Sequence, residues 1–293
     1  MYRKFELVNG ANKTYKLADP SVQKVFAHQP EGLGYTRTLS TFRLGNENLI
    51  TYSMINLDTV NFELLFYDDK LSTKYQKYLE FIDFISIKPL YLLYQPPNTF
   101  NWYRKRVESI SLTKSEVAEE DTMLHCDFTL QSLTFWESND LNIVSAQDDL
   151  EGGKVYPITY PLNYGNNTLS NVPLTSVGLL DAPLEIFIDG ECTNPEFVLY
   201  DNNDNIYGRA KFLGTFDSVY VNSKETEEEI ILMRNGLILD NPLSYQDLTI
   251  GSPNEIYITF LKIQVGRSKM SFFLGNNFNG TVKVQWRNRY ATV

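Results

Sequence analysis

Residues 61–94 read NFELLFYDDKLSTKYQKYLEFIDFISIKPLYLLY, and within this stretch the hydrophobic period changes twice. Residues 61–66 alternate apolar and polar, the pattern of a strand buried on one face. From Leu71 the apolar positions Leu71, Tyr75, Tyr78, Leu79, Ile82 and Ile85 recur at spacings of three and four, which makes one helix face. Thr73 followed three residues later by Gln76 fits a capping box, and Pro89 stops propagation soon after the pattern ends. Residues 90–94 return to a short apolar run. The stretch therefore predicts a helix of three to four turns at about 71–85, packed on a sheet and crossing between two strands of one domain.

Away from this stretch, period-two alternation dominates, at residues 5–7, 126–130, 184–188, 256–261 and 281–286. Asn9-Gly10, Asp189-Gly190, Asn235-Gly236 and Asn279-Gly280 supply the positive-φ residues of tight hairpins. The fold class is mainly β and mostly antiparallel. Acidic, polar and glycine residues collect between Trp136 and Tyr156, so residues 138–154 are expected to link a domain at 1–137 to one at 155–293. The first is expected to be a β-sandwich-like domain with one α-helix. The second has strand and turn signals at short regular spacing and reads as a β-sandwich, with a polar, loop-rich candidate extension at 215–247.

With 293 residues, 43% hydrophobic and 21% charged, the chain can bury full cores, which excludes both a disulfide-stapled module and disorder over its length. Twenty-six basic and 36 acidic side chains leave a formal charge of −10, the wrong sign for binding strength drawn from released phosphate counterions. A local basic patch stays open. Cys126 and Cys192 fall in different domains and are expected to be reduced, partly buried thiols. The first residues, Met1-Tyr2-Arg3-Lys4-Phe5-Glu6, carry no apolar leader core, and residues 90–94 are far too short to span a membrane.

Templates for catalysis and metal binding fail one by one. His28 and His125 are the whole histidine supply, and Cys126 beside His125 on a strand must point to the opposite face. No G-x-S-x-G, H-E-x-x-H or C-x-x-C occurs. Asp201-Asn202-Asn203-Asp204-Asn205 begins like a calcium loop, yet Ile206 stands where glycine must turn and Phe212 where a bidentate glutamate must close the site. A hairpin tip between 197–200 and 206–211 fits better, and Glu225-Thr226-Glu227-Glu228-Glu229 reads as a solvated loop. Trp286, Tyr220 and Tyr245 could stack on sugar rings, although Trp286 alternates with Val282 and Val284 on a face that reads as core. No catalytic, metal or cofactor residue is assigned, and an enzyme is not expected.

The order of elements resembles a known family. Phe5-Glu6-Leu7-Val8-Asn9-Gly10, Tyr15-Lys16-Leu17 and Pro30-Glu31-Gly32-Leu33-Gly34-Tyr35 are similar to the opening F-x-L-x-N-G hairpin and G-L-G segment of the distal tail proteins (Dit) of long non-contractile-tailed bacteriophages infecting Gram-positive hosts. The strand at 61–66, the helix with Tyr75, Tyr78 and Phe81, the arginine-containing strand at 103–107 and a closing strand at 128–136 follow in that family's order. In the second half, 182–190 followed by Thr193-Asn194-Pro195, and 282–290 with Arg287 and Arg289, look like its galectin-like sandwich. The sugar-binding signature of galectins is absent from 156–293, since Trp136-Glu137 lies in the other domain.

The resemblance implies a hexameric ring in the virion's tail tip, assembled in the bacterial cytoplasm. N-terminal domains would line a channel through which DNA passes, and galectin-like sandwiches would project outward. Its partners would be sister copies, the major tail protein of the tail tube, the tail-associated fibre or lysin protein and the receptor-binding protein, with no membrane and no cofactor. The hairpin at 95–105, with Pro96, Pro97, Phe100 and Trp102, is expected to reach a neighbour in the ring. Lys224, Glu225, Glu227 and Glu228 are expected to dock a partner protein from an arm. Two other readings remain: a carbohydrate-binding β-sandwich adhesin recognising host polysaccharide, and a β-rich hydrolase.

Overall fold

The computed structural model describes residues 3–17, 25–44, 47–56, 59–67, 71–115, 123–147, 168–240, 246–247, 261–275 and 278–293. It divides into two compact units, Met1–Asp140 with Arg289–Val293, and Leu141–Asn288. The first contains β1 (Lys4–Val8), β2 (Thr14–Lys16), β3 (Val25–Glu31), β4 (Thr36–Leu44), β5 (Glu47–Asn56), β6 (Val60–Tyr67), α1 (Leu71–Ile85), β7 (Leu90–Gln95), β8 (Tyr103–Val107), β9 (Ser109–Leu112), β10 (Met123–Gln131) and β11 (Trp136–Ser138). The second contains β12 (Asn142–Gln147), β13 (Thr168–Ser176), β14 (Ala182–Thr193), β15 (Glu196–Tyr200), β16 (Ile206–Phe212), β17 (Thr215–Asn222), β18 (Glu229–Arg234), β19 (Leu237–Ile238), β20 (Gln246–Asp247), β21 (Lys262–Ile263), β22 (Gly266–Phe273) and β23 (Thr281–Trp286). The last strand, β24 (Arg289–Tyr290), belongs to the first unit.

The first unit has one sheet in the order β2-β1-β7-β8-β11-β24 and another in the order β3-β6-β10-β9, all strand pairs antiparallel. Alternation decides which side chains meet between them. Phe5, Leu7, Leu92 and Tyr94 from one sheet and Phe62, Leu64, Phe66, Cys126 and Phe128 from the other are buried in one core. Phe5 and Phe62 touch edge to face at 5.0 Å between ring centroids.

Helix α1 covers this core with Phe81 and Ile85, and Tyr78 and Ile82 pack beside them. The helical period is as expected, but its face is rotated: Leu79 is 59% exposed and Phe81 fully buried. Thr73 is the third helical residue and so cannot be the N-cap, while Gln76 Nε2 donates to Glu80 Oε1 one turn later at 3.2 Å. The expected closing strand at 128–136 is two strands, because β10 lies in the four-stranded sheet and β11 in the six-stranded one. The break comes at 132–135, where the Ser132 hydroxyl accepts from the Thr134 amide at 3.1 Å and turns the chain.

The second unit is a two-sheet β-sandwich. One sheet runs β12-β23-β14-β17-β18-β19, with β21 also paired to β14, and the other β13-β22-β15-β16-β20. Leu184, Ile186, Ile188, Phe216, Val282, Val284 and Trp286 pack against Phe197, Leu199, Phe212, Met270 and Phe272. Trp286, 3% exposed, is core and offers no sugar platform. Tyr245 and most of the expected strand at 256–261 lie outside the described residues.

Four expectations change here. Asp189-Gly190 makes no hairpin; it is a bulge inside β14, where the register to β17 shifts between Asp189 and Cys192 and Gly190 takes φ 130°. The expected linker at 138–154 contains β12, which pairs residue by residue with β23 from Asn142 to Gln147. Arg289–Val293, expected to close the second domain, add a strand to the first instead. The candidate extension at 215–247 is sheet over its first part, since β17 pairs with β14 and buries Phe216, Val219 and Val221. The polar, loop-rich stretch around Lys224 to Glu229 is the turn at 223–228 between β17 and β18.

Candidate functional site

Strands β7 and β8 pair from Leu90 opposite Val107 to Tyr94 opposite Tyr103, and the loop at 96–102 joins them. Asn98 turns it with φ 61°, and Thr99 Oγ1 donates to the Pro96 carbonyl at 3.2 Å. These local bonds hold the tip so that Phe100 stands 84% exposed, with Pro97 exposed and Pro96 and Trp102 half-buried. The Trp102 carbonyl accepts from Asn139 N at 2.8 Å, which anchors the loop's base to β11's exit.

A second exposed element had no counterpart in the sequence reading. Strands β4 and β5 form a two-stranded ribbon, paired from Thr36 opposite Asn56 to Leu44 opposite Glu47, with a bulge where Ser40 meets Tyr52 and Thr41 meets Ile50. No other described strand pairs with it. All nine residues of β4 are exposed, including Leu39, Phe42 at 59% and Leu44 at 63%. A two-stranded ribbon of this kind is marginal in water on its own. Its sequence, TRTLSTFRL, breaks strict alternation and hides the strand; the Gly45-Asn46 pair between two threonine- or isoleucine-bearing runs was the available signal.

Lys224, Glu225, Glu227 and Glu228 sit in the turn between β17 and β18, where Glu227 N donates to the Lys224 carbonyl at 3.0 Å. Two of them are engaged within their own unit. Lys224 Nζ pairs with Glu185, 6% exposed on the central strand β14, whose Oε2 also accepts from Gln285 Nε2 at 2.8 Å. Glu225 Oε1 accepts from Lys262 Nζ at 2.6 Å. This is a stapled hairpin turn, not a projecting arm.

The histidines and cysteines stay apart, as strand geometry requires. Cys126 is buried, while His125 on the other face donates from Nδ1 to Glu63 Oε1 at 2.6 Å. His28 Nδ1 lies 3.7 Å from the other oxygen of Glu63. Among the described residues no group of three or more His, Cys, Asp or Glu could hold a metal ion. Burial pushes the Cys126 thiol up to about 11 and the Cys192 thiol, further raised by Asp217 and Glu191, up to about 12. Neither is a nucleophile at neutral pH. The Asp201 loop is the expected hairpin tip: Asp201 Oδ1 accepts from the amides of Asn203 and Asn205, each at 2.8 Å.

The described residues thus combine exposed apolar side chains at Phe100 and on β4 with no cluster of metal-ligating groups. Residues 4–133 match the family model of the distal tail protein, N-terminal domain. The chain carries a distal tail protein domain. Its fold as a whole is similar to chains of solved phage baseplate and hub structures. A chain of the phage P2 baseplate in its activated conformation with calcium is 17% identical, covered over 100% of both chains, with a TM-score of 0.61. The same baseplate with strontium gives 0.62 at 17% identity, again over 100% of both chains. The SPP1 Dit protein, described as a paradigm of the hub adsorption apparatus in phages infecting Gram-positive hosts, is 10% identical over 97% of this chain and 98% of that one, with a TM-score of 0.58. No curated protein matches by sequence. In the distal tail protein domain, both the β4–β5 ribbon and the Phe100 loop fall inside the matched residues.

Proposed function

We propose that six copies of this distal tail protein close into a ring at the phage tail tip. The ring joins the tail tube to the tail-associated and receptor-binding proteins, and DNA passes through its channel. The protein is a virion component assembled in the bacterial cytoplasm, and its work is done by shape.

The observation that carries this reading is the β4–β5 ribbon. It puts Leu39, Phe42 and Leu44 in water on an element that pairs with no other described strand. Burying such side chains is worth roughly 1.5–3 kcal/mol each, so a ribbon that lies against a sister copy recovers what it lacks in isolation. A ring needs a heterologous contact, one patch meeting a different patch on the next copy. Ribbon and Phe100 loop supply the projecting side of it. The net charge of −10 suits a channel that lets phosphate slide past.

Native mass spectrometry of the purified chain tests the proposal. A hexamer is expected, with rings visible by negative-stain microscopy. Monomers at every accessible concentration, with the fold intact by circular dichroism, would overturn it.

A further inference from the structure

Asparagine followed by glycine is the chemically fragile dipeptide of the chain, because a glycine nitrogen without a flanking Cβ can approach the preceding side-chain amide. Attack needs two freedoms: the asparagine side chain must be loose, and the glycine N–H must not be held in a hydrogen bond. The three Asn-Gly pairs differ in both.

Asn9 is 2% exposed, its Nδ2 donates to Phe84 O and its Oδ1 accepts from the amides of Ala11 and Lys13, all at 3.1 Å. Gly10 N donates to Ile87 O at 3.5 Å. Asn235 is exposed in the β18–β19 turn, yet Gly236 N donates to Asp217 Oδ2 at 2.9 Å. Asn279, just before β23, is exposed, and among the described residues neither its side chain nor the Gly280 N–H has a hydrogen-bond partner.

We propose that Asn279 is a site of spontaneous deamidation in the folded protein. Hydroxide takes the Gly280 amide proton, and the nitrogen's electron pair forms a bond to Asn279 Cγ. The bond from Cγ to the side-chain nitrogen breaks, and that nitrogen leaves as ammonia with a proton from water. Water then opens the five-membered succinimide at either carbonyl, leaving aspartate or isoaspartate at position 279. One water is consumed and one ammonia released, with no redox partner.

The site is one where the product matters. A Cβ on Gly280 would overlap the Asp189 carbonyl oxygen, and a Cβ on Gly190 would lie 2.9 Å from Gly280 Cα, so main chain packs on main chain here. Isoaspartate lengthens the backbone by one methylene and adds a carboxylate beside exposed Asp189. Pairing of β14 with β23, which ends at Asp189 opposite Thr281, loosens at that end.

The test incubates the full chain in mildly alkaline buffer and follows each Asn-Gly peptide by mass spectrometry and isoaspartyl methyltransferase labelling. Conversion at 279 several-fold faster than at 235, with position 9 unmodified, is expected. Asn279→Gln should abolish the fast site, and Asp217→Ala, which frees the Gly236 amide, should raise conversion at 235 without changing 279. An unconverted 279 beside a converting 235, or equal rates at all three positions in folded protein, would overturn the proposal.

Discussion

Arg289 and Glu137 face each other across β24 and β11, paired Cα to Cα, with Arg289 Nε 3.8 Å from Glu137 Oε1. Arg104 Nη2 on β8 approaches the other oxygen of the same carboxylate at 3.3 Å. Arg289 is 3% exposed, so one glutamate neutralises two guanidinium groups beneath the surface and ties the chain's last strand to the first unit. Tyr290 adds an edge-to-face contact with Tyr103, and Thr292 Oγ1 donates to Leu33 O at 2.9 Å.

Removing the shared carboxylate takes the Glu137 charge away from Arg289 and Arg104. Glu137→Ala should destabilise the first unit by about 3 kcal/mol, the scale for breaking a buried ion pair. Urea unfolding followed by circular dichroism checks this. A midpoint equal to wild type would show that the Glu137 carboxylate does not hold Arg289 in place.

Helix α1 provides a paired control. Phe81, fully buried against Phe128 and Phe66, should cost roughly 3–5 kcal/mol when changed to alanine. Leu79→Ala, at a 59% exposed position, should stay within about 0.5 kcal/mol. Thermal melts of the two variants decide whether the helix face is centred on Phe81.

Lys224→Ala should destabilise the second unit, on the order of 2 kcal/mol, by stranding Glu185 with Gln285 as its remaining polar partner. Lys224→Ala together with Glu185→Leu should recover most of the loss. If the single variant melts like wild type, the pair is not what holds this turn.

The buried thiols set an alkaline limit. Cys126 and Cys192 keep their protons to about 11 and about 12 when folded, against an ordinary value of 9.0. Above about pH 9 the unfolded chain therefore loses protons that the folded chain retains, and stability falls as pH rises, by roughly 1.4 kcal/mol per pH unit for each thiol. Urea midpoints at about pH 8 and about pH 10 measure the slope; Cys126→Ala with Cys192→Ala should make it shallower, the remainder coming from buried tyrosines such as Tyr15 and Tyr207, whose hydroxyls burial also pushes up.

Assembly should depend on the ribbon. Leu39→Ser, Phe42→Ser and Leu44→Ser combined should reduce the proposed hexamer to smaller species without altering the far-ultraviolet circular dichroism, since β4 contributes no buried side chain to the unit that bears it. Phe100→Ser is expected to weaken assembly less, being one side chain. Light scattering of each variant separates the two contributions.

Much of this protein is a local matter. The alternation at 61–66 and 126–130, the helix at 71–85, the hairpin tip at Asp201 and the opposite facing of His125 and Cys126 all follow from period and residue type, because strand and helix geometry fix side-chain direction within a few residues. What no local rule could supply was pairing. That β10 and β11 enter different sheets, that Asp189-Gly190 bulges where a turn was expected, that 215–222 is a core strand and that Arg289–Val293 return to the first unit are settled by which distant strands offer hydrogen bonds and apolar faces at the right register. The same holds for surfaces. Lys224 reads as a docking residue on an arm until folding brings Glu185 beneath it, and that Leu39, Phe42 and Leu44 stand exposed on a ribbon is known only from the tertiary structure.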